Sequence, residues 1–183
     1  VIPLHFLYLA FMFITAGIVS RKNPLLLIKN QAAGYVTALG TQSSAATIPV
    51  NVQCAEKNGV SRQIREFVVP LCATIHLAGS IISLTCFSVA ILLMNGMDHS
   101  LSLMLPFLMI LGVAMVAAPG APGGAVMSAL PFLPMIGIAA DSAMASLMIA
   151  LYLTQDSFGT AANVSGDNAI AVIIDTIYGR WTT

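Results

Sequence analysis

Ala117-Ala-Pro-Gly-Ala-Pro-Gly-Gly124 interrupts the longest uncharged run in the chain, His99 to Ala140, which is 42 residues without Asp, Glu, Lys or Arg. One helix needs only about 20 apolar residues to cross a hydrocarbon core of about 30 Å. The two prolines and three glycines of the interruption cannot continue a helix, because proline lacks the amide hydrogen and its ring collides with the preceding turn. The run therefore reads as two apolar arms around an irregular centre. In lipid, such a centre has no water to satisfy its N–H and C=O groups. It survives only where protein or a water-filled cavity supplies partners. The stretch predicts an interrupted membrane segment over 100–139.

The whole composition fits that environment. Of 183 residues, 58% are hydrophobic and 8% charged, and the mean hydropathy is +0.92. Soluble domains carry about 25% charged residues, so a soluble globular protein is excluded, and disorder, collagen and coiled coil with it. Seven acids balance seven bases, so no basic field draws nucleic acid. Cys54, Cys72 and Cys86 form no close pair and imply neither zinc nor a disulfide framework. The chain opens at Val1 inside an apolar run with no basic segment before it. That is no signal peptide, and the chain reads as part of a longer protein.

Charges punctuate the rest. Residues 1–22 read as a transmembrane helix ending in Ser20-Arg21-Lys22-Asn23-Pro24. Asn30 to Ala55 is uncharged but rich in Gln, Thr, Ser, Gly and Ala around Thr41-Gln-Ser-Ser-Ala-Ala-Thr-Ile-Pro49. It reads as a second interrupted segment over 28–56. A charged connector, Glu56 to Glu66, leads into one transmembrane helix over 66–95, and a last helix covers 141–178. Two interrupted segments flanking a spanning helix are the sequence pointer to a transporter's substrate site. Six of the seven bases lie between the first span and residue 66. By the positive-inside rule, the first interrupted segment enters from the cytoplasm and the second from outside. The C-terminus is then cytoplasmic, and the expected setting is a multi-pass cell membrane protein.

The last helix carries Asp156, Thr160, Asn163 and Asp167. At about 100° per residue they fall near 0°, +40°, −20° and +20°, one narrow face spread along about 16 Å. Ionisable residues within a membrane helix are costly and mark function by default. No Lys or Arg accompanies them within the helix. Their partners are therefore expected to be a cation, a charged substrate group or protons, and such oxygens suit hard cations such as Na⁺. Asp175 reads as a solvated cap, and His5 and His99 as lone interfacial residues.

Three stretches carry a resemblance: Thr41-Gln-Ser-Ser-Ala-Ala-Thr-Ile-Pro-Val50, Gly120-Ala-Pro-Gly123 and Asp156-Ser-Phe-Gly-Thr-Ala-Ala-Asn-Val-Ser-Gly-Asp167. They resemble signatures of the dicarboxylate/amino acid:cation symporters, the glutamate and neutral amino acid transporter family, in order and spacing. The resemblance implies an all-α integral membrane fold with two re-entrant helical hairpins arranged as an inverted repeat. It also implies an elevator mechanism and a homotrimer in a lipid bilayer. Residues 1–183 would be the C-terminal part of the transport domain, with the N-terminal scaffold outside this chain. Asp156 would bind a substrate ammonium. Asn163 would meet the substrate carboxylate and lend a carbonyl to sodium, which Asp167 would also ligate. Thr160 would line the pocket, Ser44 would sit at the substrate carboxylate, and backbone N–H groups near Ala121 and Ala125 would help.

The departures from the family pattern are informative. Gly159 stands where acidic-amino-acid transporters carry an arginine. Without it, a substrate side-chain carboxylate would be buried unpaired, so the expected substrate is a small neutral amino acid such as serine, threonine or alanine, with Ser80 facing its side chain. Where the family often has Asn-Met-Asp-Gly-Thr, this chain has His76-Leu-Ala-Gly-Ser80. Ala78 replaces a sodium-serving aspartate and His76 a sodium-serving asparagine, while Cys72 and Thr74 could still offer carbonyls. Na⁺ remains the expected co-transported ion, with H⁺ as the alternative, since a histidine can titrate near neutrality. A dicarboxylate symporter and a substrate-gated channel are the other readings. A hydrolase is disfavoured, because Ser44 sits in Gln-Ser-Ser-Ala-Ala and not in a Gly-x-Ser-x-Gly elbow, so no catalytic residue is expected.

Overall fold

The computed structural model describes residues 1–182, and these are helical with no strand among them. In order, α1 spans Ile2–Ser20, α2 Pro24–Thr41, α3 Ser44–Lys57, α4 Arg62–Ile75, α5 Ala78–Met94 and α6 Leu101–Val116. Then follow α7 Gly124–Ala129, a 3₁₀ helix Leu130–Ile136, and α8 Ala143–Thr182. Two stretches, Ile2–Ser20 and Arg62–Met94, are long and apolar enough to cross a membrane.

Local chemistry sets the boundaries. Asn23 caps α2 by accepting from the Leu25 amide at 2.9 Å, with Pro24 at the first helical position, where its missing N–H costs nothing. α2 stops at Gln42, whose φ of 51° is left-handed. Ser43 then starts α3 as its N-cap. The α2–α3 pair lies side by side, a helical hairpin with its turn at 42–43. The stretch 117–123 likewise separates α6 from α7 and the 3₁₀ helix, which pack back on α6.

One expectation is corrected. The segment read as a single helix over 66–95 is two helices, broken at His76-Leu77. His76 adopts φ −114°, ψ 91° and Leu77 φ −116°, ψ 41°. Apolar composition gave no sign of this break, because the residues around it are as hydrophobic as a continuous span. The amides that the break exposes at the start of α5 are satisfied from outside the helix: Asn163 Oδ1 accepts from Gly79 N at 2.7 Å.

α8 is the axis of the molecule, with α1, α2, α3, α4 and α5 all packed on it. Its two halves serve different cores. Tyr152, Met148 and Ala145 join α5, α6 and the 116–138 region, with Phe107, Leu111 and Leu133 fully buried. Ala162, Ala169 and Val172 join α1, α3 and α4 through Phe13, Val69 and Ala55. Asp156 and Thr160 fall between these two apolar bodies.

The second body is also stitched by amides. Asn30 Nδ2 donates to Asn58 Oδ1 at 2.9 Å, and Asn58 Nδ2 to Asn168 Oδ1 at 2.9 Å. Asn168 Nδ2 donates to Asn51 Oδ1 at 3.4 Å, and Asn51 Nδ2 to the Val164 carbonyl at 2.9 Å. Asn51, Asn58 and Asn168 each both give and accept, so three polar side chains are buried without the cost of unpaired groups. On the outside, Phe6, Leu7, Phe11 and Ile18 of α1 and Leu101, Leu105, Met109 and Val113 of α6 are exposed, an apolar surface suited to lipid.

Candidate substrate and cation site

The two interruptions meet over the polar face of α8. Ser43 Oγ donates to the Gly120 carbonyl at 2.6 Å, and the Ala45 amide donates to the same oxygen at 3.2 Å. Gln42 Nε2 donates to Ser157 Oγ at 2.8 Å. Gly123 N donates to Asp156 Oδ2 at 2.7 Å, and Thr160 Oγ1 to Asp156 Oδ1 at 3.3 Å. Gly123 can aim its amide this way because its φ of 73° lies in the left-handed region, open to glycine at no steric cost.

Between these contacts is a cavity of about 10 Å³, lined by Ser44, Ser80, Ala121, Ala125, Asp156 and Thr160 together with Gln42, Leu77, Pro119, Gly120 and Tyr152. That is room for about one water, so the site is closed. Six residues singled out in the sequence thus share one wall. Gly159 and Asn163 do not line it. Gly159 faces Gly79 and Ser83 across the α5–α8 contact. Asn163 stands one layer behind, its Nδ2 donating to Ser80 Oγ at 2.9 Å. Its amide is committed to holding the start of α5 against α8. Asp156 also has a partner that the sequence did not foresee, the backbone amide of Gly123.

Tyr152 was missed as well. It is fully buried and lies four residues before Asp156, on the same helical face. That i−4 spacing was the available signal. It passed unnoticed because a tyrosine in an apolar helix reads as core.

A second cluster lies further along α8. His76 Nδ1 bonds Asp167 Oδ1 at 2.8 Å, and Tyr8 Oη bonds His76 Nε2 at 2.8 Å. The carboxylate must accept, so Nδ1 carries the proton and Nε2 accepts from the tyrosine, the assignment that satisfies every partner. Gly166 gives the ring its place: a Cβ there would lie 2.6 Å from His76 Cε1 and 2.6 Å from Tyr8 Oη. Asp167 is wholly buried, and its Oδ2 has no hydrogen-bond partner. An orphaned carboxylate oxygen inside a protein is costly unless something cationic or protic meets it, and a hard cation suits it. Of the other expected cation ligands, the Cys72 carbonyl accepts from His76 N at 2.8 Å. Thr74 is exposed, with its hydroxyl turned back to the Leu71 carbonyl. Ala78 supplies no side-chain oxygen.

The residues read as lone, His5 and His99, and as a solvated cap, Asp175, have partners too. His5 is buried, not interfacial: its Nε2 donates to the Gly79 carbonyl at 3.0 Å, and Ser83 Oγ lies 3.1 Å from the same nitrogen. Asp175 Oδ1 accepts from Ser61 N at 3.0 Å, pinning the start of α4 to α8. His99 is exposed, beside the Met97 carbonyl.

Comparison with known proteins gives the family of the chain. Residues 1–177 match the family model described as the sodium:dicarboxylate symporter family. The chain is similar to excitatory amino acid transporter 3 of Mus musculus, 35% identical over 151 residues, which is 82% of this chain and 28% of that protein. It is 31% identical over 159 residues to excitatory amino acid transporter 1 of Rattus norvegicus, 86% of this chain and 29% of that protein. It is 30% identical over 158 residues to an excitatory amino acid transporter of Caenorhabditis elegans, 86% of this chain and 31% of that protein. The chain spans under a third of the length of these relatives.

Proposed function

The chain belongs to the sodium:dicarboxylate symporter family, and we propose that it is the substrate-carrying part of a secondary transporter that moves a small neutral amino acid together with Na⁺. The family consists of symporters, not enzymes. The observation that carries the reading is Asp156, a buried carboxylate on the wall of a closed cavity, held by the Gly123 amide and the Thr160 hydroxyl. A substrate ammonium would replace the Gly123 N–H with a charge-assisted hydrogen bond, a stronger partner for a carboxylate. Loading then requires the 117–123 turn to lift from α8, and reclosing covers the substrate.

Neutrality of the substrate side chain follows from the site's charge. Among the described residues, no lysine or arginine lines the cavity, and Gly159, at the family's arginine position, is packed against Gly79. A second carboxylate would lie unpaired beside Asp156. Sodium is the cargo that suits the free oxygen of Asp167. In this reading 28–56 and 100–139 are re-entrant hairpins in a lipid bilayer, with the scaffold and a homotrimer interface in the remainder of the protein and the C-terminus cytoplasmic.

A second reading, H⁺ in place of one Na⁺, is favoured by one observation: the Tyr8–His76–Asp167 chain occupies the position where the family carries sodium ligands. Uptake of labelled serine by the full-length protein under separate Na⁺ and pH gradients tests the coupling ion. Uptake that persists without Na⁺ overturns sodium coupling. For the site itself, thermal-shift titration of the full-length protein with serine, alanine and aspartate is the test. Stabilisation by the neutral amino acids that Asp156→Asn abolishes is expected, and unchanged binding in that variant overturns the reading.

A further inference from the structure

Among the described residues that line the cavity, Tyr152 has a buried hydroxyl that the proposed chemistry leaves idle. Its side chain is 1% exposed, yet its hydroxyl makes no hydrogen bond. It lines the same cavity as Asp156, Ser80 and Thr160. Ser80 and Asp156 stand in the same cavity wall, and neither meets the geometry of a hydrogen bond to the Tyr152 hydroxyl. An unpaired buried hydroxyl is unfavourable, and natural interiors leave few of them. A partner that arrives with the ligand relieves that cost.

We propose that Tyr152 reads the substrate side chain, its hydroxyl pairing with a hydroxyl on the amino acid, so that the site selects serine or threonine over alanine. The proposal rests on the reading of Asp156 as the ammonium site. Position and charge support it. Tyr152 precedes Asp156 by one helical turn on the same face, so a ligand whose ammonium sits on Asp156 has Tyr152 beside it. Ser80 Oγ already accepts from Asn163, which orients that hydroxyl, whereas the Tyr152 hydroxyl has no partner. The nearby Asp156 carboxylate disfavours an acidic side chain at the same spot, so the group that pairs with Tyr152 is neutral. A site that hydrogen-bonds a substrate hydroxyl rejects the analogue lacking it, because its own polar group is then left unpaired.

The test is the affinity of the full-length protein for L-serine and for L-alanine, measured by thermal shift in the parent and in Tyr152→Phe. The variant keeps the buried ring and removes only the hydroxyl. The parent is expected to prefer serine, and the substitution to lower the serine-over-alanine ratio about fivefold, the worth of one net hydrogen bond. The ratio is taken within one variant, so a change in the folded fraction does not move it. An unchanged ratio in Tyr152→Phe, with both amino acids still binding, overturns the role of Tyr152 alone. Failure of the parent to bind either amino acid overturns the Asp156 reading beneath it.

Discussion

His76 donates through Nδ1 to Asp167 Oδ1 at 2.8 Å, joining positions 91 residues apart. The bond exists because α4 and α5 break at His76-Leu77, which frees the ring to reach across to α8. Tyr8 of α1 completes the chain, so three helices converge on one buried carboxylate.

Removing the imidazole leaves Asp167 with no partner on either oxygen at a fully buried position. His76→Ala is expected to destabilise the full-length protein by about 1–3 kcal/mol, the cost of a stranded buried polar group. Tyr8→Phe removes one neutral hydrogen bond and is expected to cost about 1 kcal/mol. Melting temperatures in detergent measure both, and equal losses would contradict the ordering.

Gly166 is where the same cluster is most sensitive to added volume. An alanine Cβ would stand 2.6 Å from His76 Cε1 and from Tyr8 Oη, so the ring or the hydroxyl must move. Gly166→Ala is expected to destabilise by about 1–3 kcal/mol through overpacking. In the double variant with Tyr8→Phe the cost is expected to fall below the sum of the two, since both act on one contact.

Ser43 serves two structures at once. Its Oγ accepts from Ala46 N at 3.2 Å and donates to the Gly120 carbonyl at 2.6 Å. Ser43→Ala is expected to cost about 1 kcal/mol as a lost cap. It also unties the two turns, so amides over 119–124 are expected to exchange with solvent faster while those of α8 do not. Hydrogen exchange of parent and variant decides this, and unchanged protection at 119–124 would show that the Gly120 bond does not hold the turn.

The asparagine chain is expected to behave as one unit. Asn51→Ala leaves Asn168 Nδ2 without its acceptor, and Asn168→Ala leaves Asn51 Oδ1 without its donor. Each single variant is expected to lose about 1–3 kcal/mol. The double variant should lose less than their sum, as contacting residues of one network do. Strict additivity of the unfolding energies would contradict the coupling.

Composition and order determined a great deal by themselves. Scarcity of charge placed the chain in a membrane setting, since seven acids and seven bases cannot cover a water-facing surface. Pro119, Gly120, Pro122 and Gly123 forbade a continuous helix, which is a local property of the backbone. The 3.6-residue period aligned Asp156, Thr160 and Asp167 on one face, and those are the residues found buried along α8. Only the tertiary structure decided what meets them. That His76 reaches Asp167, that Gly123 folds onto Asp156 and that His5 is buried against Gly79 are contacts between residues 33 to 91 positions apart, and no local periodicity encodes such distances. The break at His76-Leu77 was hidden for the same reason: what permits it is the amide of Asn163, on another helix. Tyr152 looked like core filling until the packing left its hydroxyl without a partner beside the carboxylate one turn away.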